Sequence, residues 1–130
     1  MIRATLYIFA FIFLTACSST IPLQTNDRFY GSTLRVNQPY ELPGNLLVMG
    51  YIIPAGNYKA LMKDNNGIYF SSSQPLIGRD PIFGTLNYTG GLYYKMTDKQ
   101  VFYYVVNTRG FGELHKSSRA LDGLKYQIVQ

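Results

Sequence analysis

The chain has no tryptophan, one cysteine and one histidine in 130 residues, and only 15% of its residues are charged. Each scarcity removes a class of chemistry. A single cysteine, Cys17, cannot form an intramolecular disulfide, so the fold must rest on its apolar core. With His115 as the sole histidine, the chain lacks the set of His, Cys and carboxylate ligands that a zinc site uses, and no cofactor is expected. The acids are Asp27, Glu41, Asp64, Asp80, Asp98, Glu113 and Asp122, and their spacing selects no pair for glycosidase-like work. Ser71-Ser72-Ser73 lacks the strand–turn–helix setting of a nucleophile elbow, and Gly90-Gly91 lacks that of a phosphate-cradling loop. The net charge is +5, but the basic residues are scattered, with no run to follow a nucleic-acid backbone. No apolar period of 3.6 residues is sustained beyond the first sixteen positions. Glu113 and His115, two apart, would share one face of a strand. An acid/base pair uses that spacing, but polar residues on a solvated strand face show it far more often. The expectation is a protein that is not an enzyme.

What the sequence does hold begins at its amino terminus. Met1-Ile2-Arg3 precedes an apolar run from Ala4 to Leu14, and Thr15-Ala16-Cys17 follows. A charged start, an apolar middle and a small-residue cleavage site are the three parts of a secretory signal. As a helix, the segment from Ala4 to Ala16 would reach about 20 Å at about 1.5 Å per residue. The hydrocarbon core of a bilayer is about 30 Å thick, so a spanning role fits poorly.

The tetrapeptide Leu14-Thr15-Ala16-Cys17 resembles the lipobox of bacterial lipoproteins, a branched apolar residue and two small residues before cysteine. The resemblance covers only the leader and these four residues. It implies cleavage between Ala16 and Cys17, a diacylglyceryl thioether on Cys17, and acylation, for example by palmitate, of the new amino group. Apart from this covalent lipid no cofactor is implied. Each buried methylene contributes about 0.8 kcal/mol; one chain holds a protein only marginally, and two or three hold it durably. A thiol consumed in this way also accounts for one cysteine in an oxidising compartment. In resembling enterobacterial proteins, serine after the cysteine is typical of outer-membrane cargo, and Ser18 stands there. The expectation is a domain anchored to the outer membrane, facing the periplasm, with an envelope protein rather than nucleic acid as partner.

Three regions follow: a signal at 1–16, a lipidated tether at 17–27, and a single β-rich domain at 28–130. The tether is polar and aperiodic around Pro22. The domain alternates strand-like runs with turn residues: 29–36, 46–53, 58–62, 68–70, 83–88, 92–97, 101–106, 113–118 and 124–129. Asp64-Asn65-Asn66-Gly67 is the strongest turn signal, through left-handed residues that Asn-Gly readily supplies. The pattern predicts an all-β fold, a small antiparallel β-sandwich or β-barrel of about seven to eight short strands. A hairpin is expected across Pro54–Asn57. Ile53-Pro54-Ala55-Gly56-Asn57-Tyr58 also looks like the Pro-Ala-Gly-x-Tyr strand turn of many extracellular β-sandwiches, a resemblance of corner geometry only. The stretch 71–81 is the least regular. It places Arg79 and Asp80 at the charged tip of a protruding loop from Gln74 to Phe83.

Aromatic content is high, with 12 tyrosines and 8 phenylalanines. Tyr93-Tyr94 and Tyr103-Tyr104 put rings on both faces of neighbouring strands, because successive side chains alternate. The inward members are expected in the core, and the outward members are candidates for an exposed, partner-binding aromatic face. Three functions fit these features: a non-catalytic binding or accessory domain; an inhibitor or exclusion factor acting through Arg79 and Asp80; and a small barrel holding a lipid or glycan.

Overall fold

Asp64-Asn65-Asn66-Gly67 does reverse the chain, but not through left-handed backbone. Among the described residues the only non-glycine with positive φ is Lys99 (56°), and Gly67 is not left-handed either. The turn is closed by the Asp64 carboxylate, whose Oδ1 accepts the N–H groups of Asn66 and Gly67 at 2.9 Å each. A short acid side chain that satisfies the backbone two and three residues on replaces the φ requirement. Glycine stands at 67 for room. A Cβ there would collide with the Tyr94 carbonyl and lie 2.8 Å from the Tyr93 ring.

The computed structural model describes residues 20–45, 48–107 and 113–130, which contain twelve strands and no helix. In chain order they are β1 (Ile21–Pro22), β2 (Thr33–Val36), β3 (Tyr40–Leu42), β4 (Gly50–Ile53), β5 (Gly56–Lys63) and β6 (Gly67–Ser71). Then come β7 (Leu76–Asp80), β8 (Gly84–Tyr88), β9 (Gly90–Lys95), β10 (Gln100–Asn107), β11 (Glu113–Ala120) and β12 (Tyr126–Val129). All pairings are antiparallel. One sheet has the order β11-β10-β9-β6-β5-β2-β12, with β1 added on β5; the other has the order β3-β4-β7-β8. The sheets do not close into a barrel, and the fold is sandwich-like. Twelve strands exceed the expected seven or eight because several are very short. β3 lies between Pro39 and Pro43, and β7 sits inside the stretch that composition marks as irregular.

The chain crosses between sheets at Pro54-Ala55-Gly56. β4 pairs with β3 and β7, whereas β5 pairs with β2 and β6, so the expected hairpin is instead an inter-sheet corner. Tyr58 locks it: its buried hydroxyl donates to the Pro54 carbonyl at 2.7 Å, and Gly56 takes φ 144°, which a side chain would disfavour. Between the sheets lie Leu34, Ile53, Phe70, Leu76 and Leu92, fully buried with Tyr58. Each such aliphatic or phenyl side chain contributes about 1.5–3 kcal/mol on leaving water.

Part of the stretch expected as a tether is paired with the domain. Ile21 and Pro22 pair with Lys63 and Met62, and Leu23 packs against the core. Gln24 N donates to Asp27 Oδ2 at 2.6 Å, and Asp27 in turn is ion-paired with Lys63. Proline masks this strand in the sequence, yet at a sheet edge its missing N–H costs nothing. The described β-structure therefore begins at Ile21, inside the 17–27 stretch.

Candidate functional site

On the large sheet, odd and even residues of the central strands go to different clusters. Ile68 and Phe70 of β6, Leu92 and Tyr94 of β9, and Val101, Tyr103 and Val105 of β10 face the main core. The alternate residues Tyr69, Tyr93 and Tyr104 form a second cluster on the opposite face, flanked by Met62, Phe102, Val106 and Leu114. Met62 reaches that face because a bulge between Ala60 and Met62 shifts the register of β5 by one residue.

Two glycines make the floor of this cluster. Tyr104 pairs across from Gly91, where a Cβ would strike the Phe70 carbonyl and sit 2.9 Å from the Tyr104 hydroxyl. That hydroxyl donates to the Phe70 carbonyl at 3.1 Å. The rings of Tyr69 and Tyr93 are 4.7 Å apart, and Tyr69 meets Tyr104 edge-on at 5.2 Å. Both Tyr69 and Tyr93 hydroxyls donate to Asp64, at 2.9 Å and 2.7 Å. Lys116 Nζ, from β11, donates to Asp64 Oδ2 at 3.0 Å and lies 4.3 Å from the centre of the Tyr93 ring.

The electrostatics follow from these contacts. Burial works to raise the Asp64 carboxyl, but the donated bonds from Tyr93, the Asn66 N–H, Lys116 and Tyr69 outweigh it and hold the group down at about 2. Burial first, and then the Asp64 charge, push Tyr93 and Tyr69 well above the ordinary phenol range. Burial alone pushes Tyr104 up to about 12. Asp64 receives two backbone N–H groups, two phenols and an ammonium, which occupies the lone pairs of a carboxylate. Chemically this is a clamp joining the β5–β6 turn to β9 and β11.

The sequence-expected site residues therefore divide. Tyr93 and Tyr104 lie in the outer cluster and Tyr103 in the main core, all three buried, while Tyr94 is half-buried against that core. No exposed aromatic face is built from these four; Lys116 and the glycine-floored packing cover the outward rings. Arg79 is in β7, ion-paired with Glu41 at 2.8 Å, and Asp80 Oδ1 accepts the Ile82 and Phe83 N–H groups at 2.7 Å and 3.0 Å. The protruding segment is thus a β7–β8 hairpin whose tip is apolar, not charged. Arg79 and Asp80 stand at its base and line a cleft of about 540 Å³ with Glu41, Leu42, Pro43 and Gly50. Glu113 and His115 begin β11, and His115 is exposed. Among the described residues no group of three His, Cys, Asp or Glu side chains is placed to hold a metal ion. Cys17 and Ala16 lie outside the described residues, as do residues 108–112.

The hairpin tip is the surface that sequence reasoning missed. Ile82 is 82% exposed and Phe83 75% exposed, and Leu86 on β8 is 39% exposed. Tyr88 holds the hairpin's base, its ring over Gly78 and its hydroxyl 3.5 Å from Met49 Sδ. β8 itself is the edge of the small sheet, with 84–87 exposed and no lysine or proline within it to discourage another strand. A usable signal is that no charge occurs between Asp80 and Lys95, so an apolar turn at 81–83 has nothing to solvate it. Comparison with known proteins gives no match to any protein family, curated protein or solved structure.

Proposed function

We propose that the chain is an envelope lipoprotein, cut before Cys17 and anchored by acyl chains to the outer membrane, whose β-domain is a non-catalytic binding or accessory module in the periplasm. The anchor rests on the lipobox-like Leu14-Thr15-Ala16-Cys17 behind a short apolar leader. The binding role rests on one observation, the apolar tip Ile82-Phe83 raised on a hairpin beside the open edge of β8. Contiguous exposed apolar surface beside a free strand edge suits a protein partner that adds a strand or covers the tip. The partner in this reading is another envelope protein.

The anchor is tested by mass spectrometry of the product made in a bacterial host. The expected amino-terminal peptide begins at Cys17 and carries lipid, and Cys17→Ser leaves the leader uncut and the lipid absent. An intact leader on the wild-type protein, or membrane attachment unchanged by Cys17→Ser, defeats the reading. The binding role is tested with a photo-crosslinker at position 83 in intact cells. One discrete product with an envelope protein is expected, lost with Ile82→Asp; no product from position 83 counts against it.

An inhibitor or exclusion role keeps a specific observation in its favour, the exposed tip at Ile82-Phe83; replacing 81–83 by Gly-Ser would abolish such an activity. The barrel that holds a lipid or glycan loses its premise, because the sheets are not closed.

A further inference from the structure

We infer that the domain docks on the bilayer surface through one end of its large sheet, the end formed by the start of β1, the Asp64–Gly67 turn and the Met96–Lys99 turn. The inference rests on the lipid anchor proposed above. From Cys17 to Ile21 there are four Cα steps, at most about 14 Å of fully extended chain. Ile21 is not loose, since it is paired with Lys63 at the last position of β5. The acylated residue must therefore sit within that short reach of this one end of the sheet.

Strand register defines which residues share that end. Lys63 leads into the Asp64–Gly67 turn, Gly67 pairs with Lys95, and the Asn66 carbonyl accepts the Met96 N–H at 3.0 Å. Lys95 in turn pairs with Gln100, so the Met96–Lys99 turn lies beside the Asn65-Asn66 turn. The opposite end of β9 is Gly90, about 17 Å away at about 3.4 Å per residue.

The chemistry of the near end suits a bilayer interface. Ile21 is 49% exposed and Met96 39% exposed, both large apolar side chains at the level where acyl chains meet headgroups. Lys63, ion-paired with Asp27, Lys95, ion-paired with Asp98 at 2.8 Å, and Lys99 lie among them with long stems that can lie along apolar surface, and of the three Lys99 is the one to put its ammonium at phosphate depth. Lys99 is exposed and holds the tip of its turn at φ 56°. Asn65 and Asn66 are uncharged, exposed and able to hydrogen-bond to headgroups. The occupant is a phospholipid surface. A protein partner at this end would need to enter a gap no wider than about 14 Å, the reach of those four Cα steps.

The absence of tryptophan makes the test direct. Single reporters are placed in the full acylated protein at the near end (Ile21→Trp, Met96→Trp) and at the far end (Ser73→Trp, Thr89→Trp), all at exposed positions. The proteins are reconstituted in vesicles of phosphatidylethanolamine and phosphatidylglycerol, with and without bromine on the acyl chains. The expected result is a blue-shifted emission at 21 and 96 with at least two-fold quenching by the brominated lipid, and no quenching at 73 or 89. Equal quenching at both ends, quenching at neither, or quenching at 73 and 89 alone overturns the orientation. Flotation of the same samples separates the two readings. A protein that floats but is unquenched at 21 and 96 refutes only the docking, whereas a wild-type protein that carries no lipid and does not float refutes the anchor and the docking together.

Discussion

Two groups of large apolar side chains in this protein end in opposite environments. The tyrosines on the outer face of the large sheet are 2–3% exposed, stacked over Gly67 and Gly91 and tied to Asp64. Ile82 and Phe83 on the small sheet stand in solvent, held only at the base of their hairpin. The difference lies in the neighbours. Tyr93 and Tyr104 each face a glycine on the next strand, which leaves a trough for a ring, and their hydroxyls find a carboxylate and a carbonyl within reach. Phe83 belongs to a turn beyond the last paired residue of an edge strand, where no second strand offers a trough. A ring is buried where the backbone next to it is bare and a polar group waits at its far end; hydrophobicity alone does not decide it.

That contrast can be broken most forcefully at its centre. Tyr104→Ala removes a buried ring and leaves the Phe70 carbonyl without its donor, and is expected to cost about 3–5 kcal/mol in chemical denaturation. Gly91→Val tests the same trough from below and should prevent Tyr104 from seating, with a loss of about 2–4 kcal/mol. A fall of less than about 1 kcal/mol in either variant would show that the outer cluster is not close-packed.

The clamp itself comes next. Asp64→Ala removes the acceptor of two backbone N–H groups, two phenols and Lys116, and is expected to lower stability by about 2–3 kcal/mol. Its titration has a definite sign. Because the folded group sits at about 2, below its ordinary 3.8, the clamp's contribution is full above pH 4 and lost as pH falls toward 2. Wild-type stability should drop by about 1–2 kcal/mol more over that window than Asp64→Asn does, once solvent screening is allowed for. Parallel pH curves for the two proteins would remove Asp64 from the account.

The smallest stability effects belong to the hairpin. Arg79→Ala breaks an exposed ion pair with Glu41 and should cost less than about 1 kcal/mol. Ile82→Ser with Phe83→Ser should change stability by under about 0.5 kcal/mol, and Ile82→Ser alone should abolish the crosslink from position 83. If the double variant unfolds the domain, the tip is core and the contrast between the two regions fails.

Much of the fold can be read along the chain. The β-branched and aromatic run at 101–106 and the turn chemistry at Pro54–Asn57 and Asp64–Gly67 mark strands and reversals that are present. Local signals miss β3 and β7 because each is short and bounded by proline or glycine, so its stability comes from neighbours far away in sequence, such as Arg79 opposite Gly50. The hairpin at Pro54–Asn57 reads the same as a corner, since both need the same turn, and only the partners of β4 and β5 distinguish them. That Tyr93-Tyr94 and Tyr103-Tyr104 put rings on both faces of their strands was legible from alternation. The burial of Tyr93 and Tyr104 was not, because Lys116 and Gly91 meet them only through strand order.

By itself the sequence determined the β class and the reversals at Pro54–Asn57 and Asp64–Gly67, because each depends on contacts within a few residues: strand-forming side chains, proline and glycine limits on φ at the corner, and a short acid that caps its own turn. The tertiary structure alone decided which rings are covered, that Asp64 gathers donors from three strands as well as its own turn, and that Ile82 and Phe83 are left bare. These are outcomes of contacts between segments distant in the chain, 52 residues in the case of Lys116 and Asp64, and no local pattern encodes which segments meet.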